Sequence, residues 1–131
     1  MAALVQPNAL EAMWTTLIGA NPVKVALLDS SYVYDAAHDF YSDLTGVLGT
    51  PEALTGNAYT GGIFTAANPL VSGVNSPNIV TQAWFYIDTG VAATSRLLVY
   101  TDKRADGSAI SYPGDGADIT LTLPGGEVGR I

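Results

Sequence analysis

Turn-forming residues divide this chain into short segments, and this division limits the possible folds more than any other feature of the sequence. Fourteen glycines and seven prolines are spread over 131 residues. They cluster with Asn, Asp and Ser in stretches that are typical of turns, namely LTGN, TGG, NSPN, ADGS and YPGDG. The apolar runs between these clusters are too short for helices. From about residue 23 onward, the sequence therefore predicts short β-strands joined by turns.

The apolar residues between the turns have the spacing of β-strands. They recur at every second position in residues 23–28 and 118–123, which predicts strands with one buried face. The continuous apolar runs at residues 83–87 and 97–100 predict central strands covered on both faces. Weaker strand candidates lie at residues 58–60, 62–65, 109–112 and 127–131. Together these strands predict an all-β fold, an antiparallel β-sandwich or jelly roll, with a barrel as the alternative.

One short amphipathic helix is predicted before the strands, over about residues 8–19. Asn8 is a suitable N-cap, and Glu11 three residues later completes a capping box. Gly19 is well placed to end the helix. The residues predicted to form one buried face have the spacing of a helix, and they are Leu10, Met13, Trp14, Leu17 and Ile18.

The rest of the chain is predicted to have a simple organisation. Residues 1–7 form an apolar arm, in which Leu4 and Val5 have no apolar neighbours in the sequence to bury them. Residues 8–131 form a single β domain, because no linker, charge block or repeat divides them. The less regular residues 30–46 predict a long connection with one helical turn near residues 38–44.

Composition excludes several classes of function. Twelve acidic residues against five cationic ones give a net charge of −7, which argues against binding to nucleic acid or to an anionic membrane. The absence of Cys and the single His disfavour metal sites and thiol chemistry. Because the first residues include no basic side chain, no secretory signal is expected. We therefore expect a soluble protein made in a cytoplasm, without a cofactor.

Asp88, Thr89 and Gly90 follow an apolar run, as in the catalytic loop of retroviral-type aspartic proteases. Such a protease needs two aspartates that share a proton across a dimer axis. Its loop lies early in the chain, whereas only about the last third of this sequence follows Gly90, without an evident flap hairpin. Val91 also stands where those enzymes have Ala or Ser. We interpret the three residues as a turn after a strand and not as a catalytic site.

Other polar clusters are also more typical of structure than of catalysis. Residues 102–108 resemble a calcium loop, but Arg104 occupies a position that needs an oxygen ligand. Residues 114–118 contain two aspartates in a Gly-rich turn. His38 lies near Asp39 and Asp43, yet no nucleophile elbow accompanies them. We therefore predict no catalytic residue, no metal site and no enzymatic activity.

Four stretches of the chain resemble a group of small tailed-bacteriophage virion proteins of the capsid cement or decoration type. They are VKVALLDSSYVYDAAHDFYSDLTG, AYTGGIFT, FYIDTGVAATSRLLVY and GDGADITLTL. The likeness covers roughly residues 10–123 in preserved order, and it lies in strands and turns. In related sequences the first helix carries Lys-rich segments such as KFKEALL. Here LEAMWTTLIGA has no basic residue, so the partner surface is expected to differ.

The resemblance implies a β-sandwich or jelly-roll protein on the outer surface of the capsid, bound to the major capsid protein and to itself as a dimer or trimer. Its location would be the virion, after synthesis in the cytoplasm of the host bacterium. Such a protein adds contact area and needs no catalysis. We assign the contact to the apolar arm and the first helix, through Ala2, Leu4, Val5 and Trp14.

An alternative function is a virion-surface, tail or fibre-associated module that binds a host glycan. Sugars stack on exposed aromatic rings, and several aromatic residues fall in or near the strands, namely Trp84, Phe85, Tyr86, Tyr100 and Tyr112. Aromatic residues inside apolar strands are, however, typical of a core. This alternative therefore predicts an exposed aromatic pair drawn from Tyr32, Tyr34, Tyr41 and Tyr59.

Overall fold

The computed structural model describes residues 5–131, and it has one helix followed by short strands. The helix α1 spans Pro7–Ile18. The strands are β1 (Val23–Leu28), β2 (Val47–Ala53), β3 (Ile63–Thr65), β4 (Leu70–Val71), β5 (Ile79–Val80), β6 (Gln82–Ile87), β7 (Leu97–Thr101), β8 (Tyr112–Pro113), β9 (Ile119–Thr120) and β10 (Glu127–Arg130). All strand pairs are antiparallel. The predicted all-β class with one short N-terminal helix is confirmed.

The largest sheet has four strands in the order β2-β1-β6-β7. Three two-stranded sheets pair β10 with β3, β4 with β9, and β5 with β8. Residues from these small sheets share one apolar cluster with a single face of the large sheet. The layers are therefore compatible with a sandwich, while the jelly-roll topology stays a prediction.

The main core lies on the inner face of the large sheet. Val25 and Phe85 are cross-strand partners on β1 and β6, and both are almost fully buried. Successive residues of a strand point to opposite faces of the sheet. The residues directly before and after Val25 and Phe85 therefore point away from this core. The same apolar cluster includes residues of α1 and of the small sheets, such as Trp14, Phe64, Val71, Val80, Leu121 and Val128.

The outer face of the large sheet is partly covered by the connection between β1 and β2. Leu28, Tyr32 and Trp84 form a second, smaller buried cluster there. The side-chain amide of Gln82 on β6 donates hydrogen bonds of 2.7 Å to the carbonyls of Asp29 and Tyr32, which ties this connection to the sheet. The connection contains one short 3-10 helix, Tyr41–Asp43, within the predicted residues 38–44.

The strand predictions differ in how well they fit. All six residues of β6 are buried, as expected for a central strand. The same expectation for β7 was wrong, because β7 is an edge strand and its residues are only partly buried. In residues 118–123 the predicted inward residues are buried, although only Ile119–Thr120 pair as a strand. The backbone that follows bonds instead to the carbonyl of Pro69 and the side chain of Asn68.

The helix begins earlier than predicted. Its N-cap is Gln6, and Pro7 occupies the first turn, so that Asn8 lies inside the helix and the predicted capping box was wrong. Proline suits the first helical position, since its φ is already helical and it has no N–H to leave unpaired. Gly19 ends the helix with φ 62° and donates its N–H to the carbonyl of Thr15, as its position predicted.

Candidate functional surfaces

Asp88 lies in a turn directly after β6, and both of its carboxylate oxygens have partners. Oδ1 accepts a hydrogen bond of 2.8 Å from the N–H of Gly90, which closes an Asx turn. Oδ2 lies 2.7 Å from Nζ of Lys24. The hydrogen bond from Lys24 and then the one from Gly90 lower the pKa of Asp88. The carboxylate is therefore held in its charged form by groups of its own fold.

The rest of this turn is closed by hydroxyl groups. Gly90 has φ 85°, a conformation that favours glycine. Thr89 Oγ1 lies 2.6 Å from Thr94 Oγ1. Ser95 is buried, donates to the carbonyl of Val91 and accepts from the N–H of Thr89. These contacts shape a compact loop between β6 and β7.

The other polar clusters from the sequence also have local structural contacts. His38 Nδ1 lies 2.9 Å from the hydroxyl of Tyr32. Asp43 accepts hydrogen bonds from the backbone N–H groups of Asp39 and Phe40, which lower its pKa. Within residues 5–131, no group of three His, Asp or Glu side chains is placed to hold a metal ion. The same residues contain no helix that is both long and apolar enough to cross a bilayer.

The residues assigned to a partner contact fall in different places. Ala2 and Leu4 lie outside the described residues. Val5 is 56% exposed. Trp14 is buried, packs edge-on against Phe64 at 5.4 Å, and donates its indole N–H to the carbonyl of Gly62 at 2.8 Å. Trp14 therefore anchors α1 to the β body and offers little surface to a partner.

One side of α1 instead forms an exposed apolar surface that the sequence pattern predicted to be buried. Trp14 and Ile18 are buried, whereas Met13 and Leu17 are each 49% exposed. The prediction of a single buried face was wrong for these two residues, because α1 contacts the β body along only one side. We call the exposed surface the α1 face, and it is formed by Ala9, Ala12, Met13, Thr16 and Leu17.

A second surface is formed by aromatic rings on the outer face of the large sheet. Trp84 and Tyr100 are cross-strand partners on β6 and β7, with ring centroids 5.4 Å apart. Tyr34, from the connection after β1, lies 4.9 Å from Tyr100 and 6.1 Å from Trp84, with its plane within 17° of both. We call these three residues the aromatic stack. Its outermost member, Tyr34, is 53% exposed.

An open groove of about 580 Å³ runs beside the aromatic stack. Besides the three rings, its lining consists of Leu98, Val99, Thr101 and Asp102. The hydroxyl of Tyr100 donates a 2.5 Å hydrogen bond to Oε1 of Gln82. Burial, followed by the charge of Asp102, raises the pKa of Tyr100, so that its hydroxyl remains a donor.

The sequence indicated only part of this second surface. Tyr34 was among the tyrosines from which the glycan alternative predicted an exposed pair, and it is exposed. Trp84 was expected in the core and is buried, and Tyr100 is partly buried against it, but both belong to the smaller cluster on the outer face, which the sequence did not indicate. The missed signal is their position on the strands: each falls on the face opposite to its neighbours Phe85 and Val99, which belong to the main core.

Comparison of the chain with protein-family models, curated proteins and solved structures finds no match in any of the three. The α1 face and the aromatic stack are therefore the features from which a function can be inferred.

Proposed function

We propose that this protein is a structural component of a tailed-phage virion that binds the outside of the capsid shell and stabilises it. The observation that carries the proposal is the α1 face, where Met13 and Leu17 are each 49% exposed. The sequence resemblance to capsid decoration proteins supports the same role. The partner is the major capsid protein, and the protein acts as a homo-oligomer on the virion.

The α1 face has the chemistry of a contact surface. It is contiguous and apolar, and such surfaces on small proteins mark interaction sites when they are not isolated residues. Burying the exposed halves of Met13 and Leu17 would contribute about 1 kcal/mol each. Trp14 and Ile18 hold the opposite side of the helix in the core, so a partner would meet a fixed helix.

The size of the α1 face sets how binding would work. A helix of 12 residues is about 18 Å long, which is too small for the roughly 800 Å² per partner of a typical specific interface. The apolar segment that precedes the helix in the sequence, through Val5, would extend the contact. Many copies around the shell, linked to one another as oligomers, would convert a weak single contact into strong attachment.

The test is the thermal stability of virions with and without this protein. Virions that lack it are expected to rupture at a lower temperature, and adding the purified protein should restore the higher temperature. Leu17→Glu places a charge in the α1 face, so it should prevent both rescue and co-sedimentation with the shells. Thr15→Glu is the matched control, because Thr15 is also exposed but lies about 160° around the helix from Leu17.

Equal rupture temperatures with and without the protein would contradict the proposal. Normal rescue by Leu17→Glu would show that the α1 face is not the contact. The copy number per virion separates the shell from the tail, since a decoration protein should reach roughly hundreds of copies and a tail component roughly six or twelve.

A further inference from the structure

We infer that the aromatic stack and Asp102 form a binding site for a neutral pyranose ring. This site lies on β6, β7 and the connection after β1, whereas the proposed capsid contact lies on α1. The two sites use different residues, so each can be tested while the other is intact.

The stack offers a flat aromatic surface of the kind on which a sugar ring packs. Tyr34 lies nearly parallel to Tyr100, with 10° between their planes, and one face of its ring packs on the sheet side of the stack. Because Tyr34 is 53% exposed, its other face is open to solvent. The C–H groups on one side of a pyranose are apolar and pack against the electron-rich face of such a ring.

The rings beneath Tyr34 are held in place before any ligand binds. Tyr100 donates to Oε1 of Gln82, and Gln82 is itself fixed by two hydrogen bonds to the connection that carries Tyr34. Trp84 is buried and lies 5.4 Å from Tyr100. A site whose side chains are already ordered loses less entropy on binding.

Asp102 supplies the polar contact that a sugar needs beside a stacking ring. Asp102 is one of the residues that line the groove, and a carboxylate accepts hydrogen bonds from hydroxyl groups without competing as a donor. Its backbone carbonyl accepts the N–H of Ile110 at 2.9 Å, which fixes this part of the chain. Thr101 is less available, because its hydroxyl already bonds to the backbone of Lys103.

The charge around the groove limits which sugars fit. Asp102 lines it, Asp35 follows Tyr34 in the chain, and the whole protein carries a net charge of −7. An acidic sugar would meet repulsion from these carboxylates. The class of ligand is therefore a neutral hexose or N-acetylhexosamine.

A peptide strand added to the edge of β7 is the competing occupant. This edge is partly covered, since the N–H of Leu97 already bonds to the carbonyl of Asp39. An added strand would also use backbone contacts along β7, whereas Tyr34 stands over the side-chain face of the sheet. The position of Tyr34 favours a flat ligand over a strand.

The experiment is an NMR titration of the full-length, isotope-labelled protein with methyl glucoside, N-acetylglucosamine and glucuronate. We expect weak saturable binding of the two neutral sugars, with shifts at the amides of Tyr34, Thr101 and Asp102, and weaker binding of glucuronate. Tyr34→Ala should weaken binding about fivefold to tenfold, and Tyr34→Phe should retain it, since stacking needs only the ring. Asp102→Asn should weaken the binding of neutral sugars. It should also reduce the difference in affinity between the neutral sugars and glucuronate, because the variant lacks one of the repelling charges.

Tyr41→Ala is the matched control, because Tyr41 belongs to the same connection but packs on Tyr86, outside the groove. It should leave sugar binding unchanged. No shift with either neutral sugar would overturn the inference, as would binding that Tyr34→Ala does not weaken. Binding of a short β-strand peptide at β7 without any sugar binding would assign the groove to the competing occupant. Virion rupture temperatures do not enter this test, so its failure leaves the proposed capsid role standing.

Discussion

At the scale of single residues, the partners of a carboxylate decide what it does. The sequence Asp88-Thr89-Gly90 has the composition of a protease loop, yet Asp88 is bound by Lys24 and by the N–H of Gly90. A protease dyad needs carboxyl groups that share a proton, so that one of them has a raised pKa. The pKa of Asp88 is instead lowered by its two partners. Its contacts are those of a residue that fixes the end of a strand.

Asp88→Asn should therefore affect stability and not activity. The amide can still accept the N–H of Gly90, but it loses the ion pair with Lys24. A partly exposed pair of this kind contributes about 0.5–1 kcal/mol, so the Tm at pH 7 should fall by about 2–4 °C. Thermal denaturation followed by circular dichroism measures the change. Asp118→Asn, at an exposed acidic residue, is the control and should leave the Tm nearly unchanged. If the native protein hydrolysed a peptide and Asp88→Asn did not, the protease interpretation would be supported instead.

At the scale of elements, alternation in the sequence predicted strands well where one face is buried. Residues 23–28 and 83–87 were expected as strands and correspond to β1 and β6. The strand β2 was missed because its sequence, VLGTPEA, contains Gly and Pro and none of its residues is fully buried. It pairs with β1 through an irregular register. This pairing depends on the tertiary structure, and the sequence of β2 alone does not predict it. The strands β4 and β5 have two residues each, too few to show a period.

The same limit explains the candidate surfaces. The spacing of apolar residues in α1 predicted that the helix has an apolar side. The β body covers only part of that side, so some of its residues remain exposed. Which residues stay exposed depends on where Trp14 meets Gly62, a contact between positions 48 residues apart. The aromatic stack likewise joins three separate segments, so no single stretch of sequence predicts it.

Gly62→Ala should weaken the attachment of α1. Gly62 has φ 85°, and a Cβ there would lie 2.7 Å from Cβ of Leu10 on the helix. We expect a loss of about 2–3 kcal/mol in the free energy of unfolding, from backbone strain and from displacement of the helix. Gly61→Ala is the matched control, since Gly61 also has positive φ but open space around it, and it should cost only about 1 kcal/mol. Urea denaturation measures both values. Equal losses in the two variants would contradict close packing of α1 at this turn.

At the scale of the whole molecule, carboxylates contribute to the fold mainly by closing turns and pairing with the few cations. Four of them have a pKa below the ordinary value because of such contacts, namely Asp43, Asp88, Asp106 and Glu127. The partners are backbone N–H groups for Asp43, Lys24 for Asp88, Ser108 for Asp106 and Arg130 for Glu127. Several of the acidic residues thus stabilise the turns that separate the short strands.

These contacts predict how stability depends on pH. A carboxyl group with a lowered pKa in the folded state stabilises the protein above its ordinary pKa, and this contribution is lost as the pH falls through the folded-state pKa. The ordinary values are 4.5 for Glu127 and 3.8 for the three aspartates. The Tm should therefore change little from pH 8 to pH 5 and fall between pH 5 and pH 3. The difference in Tm between the native protein and Asp88→Asn should decrease over the same pH interval, because Asp88 of the native protein loses its charge there. Differential scanning calorimetry of both proteins at matched ionic strength, kept dilute near the isoelectric pH of about 4.2, measures both effects. A Tm that rises on acidification, or a difference in Tm that grows, would contradict the assignment of these carboxylates as stabilising anions.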